Sequence, residues 1–92
     1  MFVVVAYDIE DDKRRLRLHK TLKNFGTPVQ YSIFECILEE VQLRRMKESV
    51  QKLIKEDTRD RVRYYYLCEG CRKRIEVSTN GAIAQDPKAV IL

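Results

Sequence analysis

A chain of 92 residues holds one domain. Hydrophobic residues at 45% and charged residues at 35% suit a folded globular chain and exclude a disordered one. The longest apolar run, Phe2–Tyr7, is far short of the roughly 20 residues of a membrane span. No basic stretch or small-residue cleavage site precedes it, so neither signal peptide nor anchor is expected and the chain is expected in the cytoplasm. Eighteen Lys and Arg against 14 Asp and Glu give a net charge of +4. The basic residues gather at Lys13–Arg17, Arg59–Arg63 and Arg72–Arg74, and Arg outnumbers Lys in each group. Arg is the side chain suited to bidentate phosphate contacts, although solvated faces have the same composition.

Phe2–Asp8 is β-branched and aromatic and ends in an acid, which predicts a strand apolar on both faces. Asp11 or Asp12 can cap the helix that follows, whose buried stripe is Leu18, Leu22 and Phe25. Gly26 stops it and Pro28 follows two residues later. Val29–Leu38 reads as strand, with Ile33, Glu35 and Ile37 on one side and Phe34, Cys36 and Leu38 on the other. A second helix is predicted from Glu40 to Lys55, with Leu43, Met46, Val50, Leu53 and Ile54 inward. After a polar break at Asp57 to Asp60, Arg61–Cys68 alternates as a strand, Glu69-Gly70 turns, and Arg72–Ser78 is expected to form another strand. Residues 79–92 end in Val90-Ile91-Leu92, too apolar for a frayed tail. They are expected to add to a sheet, that of a second copy included. The division expected is therefore a domain over residues 1–78 and a C-terminal tail over 79–92.

The class is α+β, with two amphipathic helices on one face of a small, mainly antiparallel sheet. Periodicity leaves open whether Val29–Leu38 is one strand or two pieces broken at Ser32; a βαββαβ order requires the break. Either way the helices cover one face only, while Phe2/Val4/Ala6 and Val3/Val5/Tyr7 are both apolar sets. An exposed apolar sheet face is rare in monomers, so face-to-face packing of two copies in a two-fold homodimer is expected.

Asp8 ends a strand with apolar residues on both faces, and a carboxylate there is a hard oxygen ligand suited to Mg²⁺ or Mn²⁺. One carboxylate does not make a metal site, but a two-fold dimer presents two. A divalent ion between them would activate water and offset phosphate charge, the usual metal route to phosphodiester hydrolysis. Capping a helix is the ordinary work of acids at such a junction and is expected of Asp11 or Asp12. Ser32 lacks a nucleophile elbow and is expected to hydrogen-bond at the strand bend, and Phe34 fits the core better than base stacking. The Tyr64-Tyr65-Tyr66 run beside Arg61 and Arg63 mixes aromatic and basic groups as single-strand binders do, though alternation turns part of it inward. Cys36, Cys68 and Cys71 are an odd count, which argues against a disulfide scaffold. Cys68-Glu69-Gly70-Cys71 has half the ligands of a zinc site. A thioredoxin-type role is set aside because the pair falls between two strand-like stretches rather than at a helix start.

Val3-Val-Val-Ala-Tyr-Asp-Ile9, Arg15-x-Arg17, Leu22-x-x-x-Gly26 and Gln30-Tyr-Ser-Ile-Phe-Glu35 together resemble the CRISPR-associated endoribonuclease family, the small nuclease-like partner of the CRISPR integrase in spacer acquisition. The similarity covers nearly the whole chain. It implies a ferredoxin-like βαββαβ fold and a homodimer with sheet-to-sheet packing, in which the C-terminal strand joins the partner's sheet. It implies a catalytic, divalent-metal-binding carboxylate at Asp8 and phosphate-holding arginines at Arg15 and Arg17. Tyr7, Ser32 and Phe34 would stand in support. The implied partners are the integrase subunit and RNA or DNA, and the implied activity is metal-dependent endonuclease cleavage. A structural adaptor that grips DNA without cleaving it is the competing reading. Some members carry an arginine just before the second strand, where this chain has Thr27-Pro28-Val29.

Overall fold

In the computed structural model, which describes residues 1–78, the first apolar run forms strand β1 (Phe2–Asp8). Helix α1 (Asp12–Leu22) follows, capped by Asp11, whose carboxylate accepts the Arg14 backbone N–H at 2.9 Å. This satisfies one of the amides that a helix start leaves unpaired. Strands β2 (Thr27–Gln30) and β3 (Ile33–Ile37) come next. Helix α2 (Glu40–Gln51) then begins at Glu39, whose backbone N–H donates to the Gln42 side chain at 2.8 Å. Strand β4 (Arg61–Leu67) and a single helical turn, α3 (Glu69–Arg72), complete the described elements.

The sheet order is β2-β3-β1-β4, with every neighbouring pair antiparallel. Each helix thus links two strands that are separated by a third, the interleaved pairing of a ferredoxin-like βαββαβ fold. The predicted run Val29–Leu38 is two strands. Tyr31 and Ser32 form a two-residue turn in which Ser32 takes φ 62°, at a place where type II turns usually have Gly or Asn. The Ser32 carbonyl accepts the Tyr7 backbone N–H at 3.0 Å, which fastens this turn to the end of β1. Gly26 is required where the chain enters β2. A Cβ there would lie 2.4 Å from Cys36 Sγ and 2.6 Å from the Glu35 carbonyl oxygen.

Several boundaries differ from expectation. α1 ends at Leu22, before Phe25 and the expected stop at Gly26, and β2 begins at Thr27 rather than Val29. α2 ends at Gln51 rather than Lys55, and the strand predicted over Arg72–Ser78 does not form. Glu69–Arg72 coils into a helical turn, not the tight turn that would return the chain along β4. Cys68 instead caps α3, and Glu69 and Arg72 pair across the turn at 3.7 Å. The Cys68/Cys71 pair therefore does sit at a helical start, contrary to the expectation from sequence. The tail expected over 79–92 lies outside the described residues.

Packing separates the two sheet faces. Val3, Val5, Tyr7, Phe34 and Cys36 are buried beneath Leu18, Leu22, Met46 and Val50 of the helices. Opposite-strand register puts Val4 beside Glu35 and Tyr65, Ala6 beside Ile33 and Arg63, and Phe2 beside Ile37 and Leu67 on the other face. Neither helix covers that face: Val4, Ala6, Ile33, Ile37 and Leu67 are only half-buried and Tyr65 is exposed. Among the described residues no helix is long and apolar enough to cross a membrane.

Candidate functional site

Asp8 is the last residue of β1 and is exposed. Period-two alternation sets it on the open face with Phe2, Val4 and Ala6, one strand from Arg61. Arg61 does not neutralise it. Its guanidinium donates to the Thr58 carbonyl at 3.2 Å and to the Asp60 carbonyl at 2.8 Å, which leaves Asp8 without an ion pair among the described residues. No group of three or more His, Cys, Asp or Glu able to hold a metal occurs among those residues. One chain thus offers a hard oxygen donor at this strand end without a ready-made ligand cluster among the described residues. That fits Mg²⁺, which is commonly bound by one or two carboxylates with water completing its shell.

The remaining predicted site residues lie elsewhere. Tyr7, adjacent in sequence, projects to the opposite face, where its hydroxyl and His19 Nδ1 are 3.2 Å apart. Burial raises the Tyr7 pKa, and a hydrogen bond with the Ser32 side chain partly offsets that rise. Tyr7, Arg15, His19, Tyr31 and Ser32 line a groove of about 460 Å³ between α1 and the β2–β3 turn. Arg15 is held at its rim by the Ile9 carbonyl at 3.2 Å and by an ion pair with Asp12. The carboxylate also raises the arginine's pKa, so Arg15 stays cationic. Arg17 is exposed and free of hydrogen bonds and ion pairs among the described residues. Two positions along a helix turn away from each other, so Arg15 and Arg17 do not converge on one phosphate. Phe34 is fully buried, with its ring 5.1 Å from His19 and 6.3 Å from Tyr7. It packs against two of the residues that line the groove, and its full burial leaves no room for a base. Tyr64 is half-buried and Tyr66 half-exposed, both beneath the Lys47 ammonium at 5.4 and 5.3 Å. Only Tyr65 of that run stands on the open face, where its hydroxyl accepts from Arg63 at 3.4 Å.

Asp60 is a residue that sequence reasoning passed over. Its side chain is wholly buried and accepts from Arg14 Nε at 3.0 Å and Arg14 Nη2 at 3.2 Å. It also accepts the backbone N–H groups of Glu10 at 3.1 Å and Lys55 at 3.2 Å. The Arg14 hydrogen bonds foremost, and the two backbone donors with them, hold its pKa down at about 2. Asp60 therefore fastens the loop that carries the chain out of β1, two residues beyond Asp8, to the loop that enters β4. No periodicity marks a contact between residues 46 positions apart; the only sequence sign was an acid inside a basic run.

The family model described as "CRISPR associated protein Cas2" matches residues 1–75. A CRISPR-associated endoribonuclease Cas2 of Chloroflexus aurantiacus is 42% identical over 81 residues, covering 88% of this chain and 87% of that one. Among solved structures, Streptococcus pyogenes Cas2 superposes with a TM-score of 0.74 at 30% identity, covering 84% of this chain and 98% of the other. A chain of a partial Cas6-RT-Cas1–Cas2 complex matches with a TM-score of 0.78 at 26% identity, over 99% of this chain and 98% of its own length.

Proposed function

The chain belongs to the CRISPR-associated protein Cas2 family, and on that premise we propose that it acts in spacer acquisition as a homodimeric, metal-dependent endonuclease on RNA or DNA phosphodiester bonds, working beside the CRISPR integrase. The observation that carries this reading is the placement of Asp8. Its carboxylate is exposed and unpaired, on the same sheet face as the apolar residues the helices leave uncovered. Joining two such faces buries Val4, Ala6, Ile33, Ile37 and Leu67 and gathers two Asp8 residues at one seam. The names of the relatives support the activity, and the Cas1–Cas2 complex to which one similar chain belongs supports the partner.

In this reading the paired Asp8 carboxylates hold Mg²⁺ or Mn²⁺. The ion, when bound, supplies charge neutralisation at the phosphodiester and activation of the attacking water. Arg17 makes a backbone phosphate contact from the outer side of α1. Arg15 makes another at the groove rim, where Asp12 and the Ile9 carbonyl fix its guanidinium in place. Tyr7 and Ser32 hold the end of β1 against the β2–β3 turn, and Phe34 packs beneath them. The departure at Thr27-Pro28-Val29 removes one phosphate contact, leaving α1 to carry more of the electrostatic grip.

The test compares wild type with Asp8→Ala on RNA and on duplex DNA, with Mg²⁺ and with EDTA. Loss of cleavage in the variant and in EDTA supports the reading; cleavage unchanged in either sinks it. One observation favours a second reading, that of an adaptor: among the described residues of one chain, no group of three or more His, Cys, Asp or Glu able to hold a metal occurs. Spacer integration reconstituted with the integrase separates the two, because an adaptor retains full integration with Asp8→Ala.

A further inference from the structure

The two cysteines of α3 are unused by the activity above, and their surroundings differ sharply from those of Cys36. Cys36 is fully buried, and burial pushes its thiol up to about 11, which makes it inert. Cys68 and Cys71 are both exposed. They stand three residues apart in one turn, and Cys68 has the extended backbone of a cap residue (φ −69°, ψ 167°). The Cys71 backbone N–H donates to Cys68 Sγ at 3.4 Å. Side chains three apart on a helix have Cβ atoms about 5–6 Å apart, and a disulfide needs about 3.5–4.5 Å. The turn must tighten by about 1–2 Å on those figures, which one exposed turn accommodates.

We propose that Cys68 and Cys71 are a redox-active dithiol that closes to an intrachain disulfide by exchange with a low-molecular-weight disulfide. The Cys68 thiolate attacks one sulfur of that disulfide, forming a mixed disulfide and releasing the other half as a thiolate. Cys71 loses its proton to solvent and attacks Cys68 Sγ, and the second half leaves as a thiolate. The two protein thiols are oxidised, the small disulfide is reduced to two thiols, and two protons are exchanged with water. The division of labour follows from the Cys71 backbone N–H on Cys68 Sγ, which stabilises the Cys68 thiolate and lowers its pKa, so Cys68 attacks and Cys71 resolves. A closed zinc site needs four ligands, and no third candidate ligand joins this pair among the described residues. Arg72, in the same turn, lies over the Phe2 ring at 5.2 Å, so the bridge locks a turn that covers one corner of the open sheet face.

The test treats the full chain with oxidised glutathione at neutral pH, quenches with an alkylating agent, and reads intact and peptide masses. Wild type is expected to lose two hydrogens, mapped to a Cys68–Cys71 bridge, with Cys36 left free. Cys71→Ser is expected to stop at a stable glutathione adduct on Cys68, and Cys68→Ser to react severalfold more slowly at Cys71. Three results overturn the proposal: a stable glutathione adduct on wild type, faster reaction in Cys68→Ser than in Cys71→Ser, or stoichiometric zinc on the purified chain that both variants lose.

Discussion

Replacing Asp60 by Asn removes one charge from the cluster that ties the exit of β1 to the entry of β4, and the structure sets the size and pH dependence of the loss. The Asp60 carboxyl is held at about 2 against its ordinary 3.8, chiefly by Arg14. At about 1.4 kcal/mol per pKa unit this corresponds to roughly 2 kcal/mol favouring the ionised, folded form. Arg14 is 18% exposed in its side chain, so solvent screening reduces the expected effect to about 1–2 kcal/mol. Because the folded pKa is the lower one, this stability is fully present above pH about 4–5 and disappears as the pH falls through about 2. Urea denaturation at fixed chain concentration, at pH 7 and again near pH 2, is the assay. Asp60→Asn should unfold about 1–2 M earlier than wild type at pH 7, taking an m-value of about 1 kcal/mol/M. The two curves should converge at the acid end. A gap of the same size at both pH values, or none at pH 7, refutes the electrostatic reasoning.

Gly26→Ala should destabilise the chain by about 1–3 kcal/mol, as overpacking does, because its Cβ meets the Glu35 carbonyl oxygen as well as the Cys36 side chain; thermal melting checks this. Val4→Lys, placed at the centre of the open sheet face, should convert a dimer into monomers by light scattering while leaving the circular dichroism spectrum intact. Arg17→Ala should weaken nucleic-acid binding without sequence preference and lower the salt dependence of log K by about 1, since a free surface cation gives one phosphate contact. Filter binding across a salt series measures both.

How much the sequence disclosed depended on how local the cause was. β1 and α1 were legible because the β-branched and aromatic run of Phe2–Asp8, an acidic cap at Asp11 or Asp12 and the Leu18/Leu22 stripe are signals within one element. The break at Ser32 was visible as an alternative and no more, since a positive φ at a serine leaves no mark in composition. Arg72–Ser78 failed as a strand because the expected Glu69-Gly70 turn is a helical turn capped by Cys68. Among the candidate site residues, the position of Asp8 at the exposed end of β1 was legible from its place after an apolar run. The groove of Tyr7, Arg15, His19 and Tyr31 was not found, because it joins α1 to a turn about a dozen or more residues away. The Arg14–Asp60 pair escaped for the same cause at greater range.

The claim at the centre is that two chains share one divalent ion between their Asp8 carboxylates, and Mn²⁺ titration followed by electron paramagnetic resonance tests it directly. The account predicts one bound Mn²⁺ per two chains in wild type, and none in Asp8→Ala at the same dimer mass. Equal Mn²⁺ binding by both proteins, or saturation at one ion per chain, would contradict it.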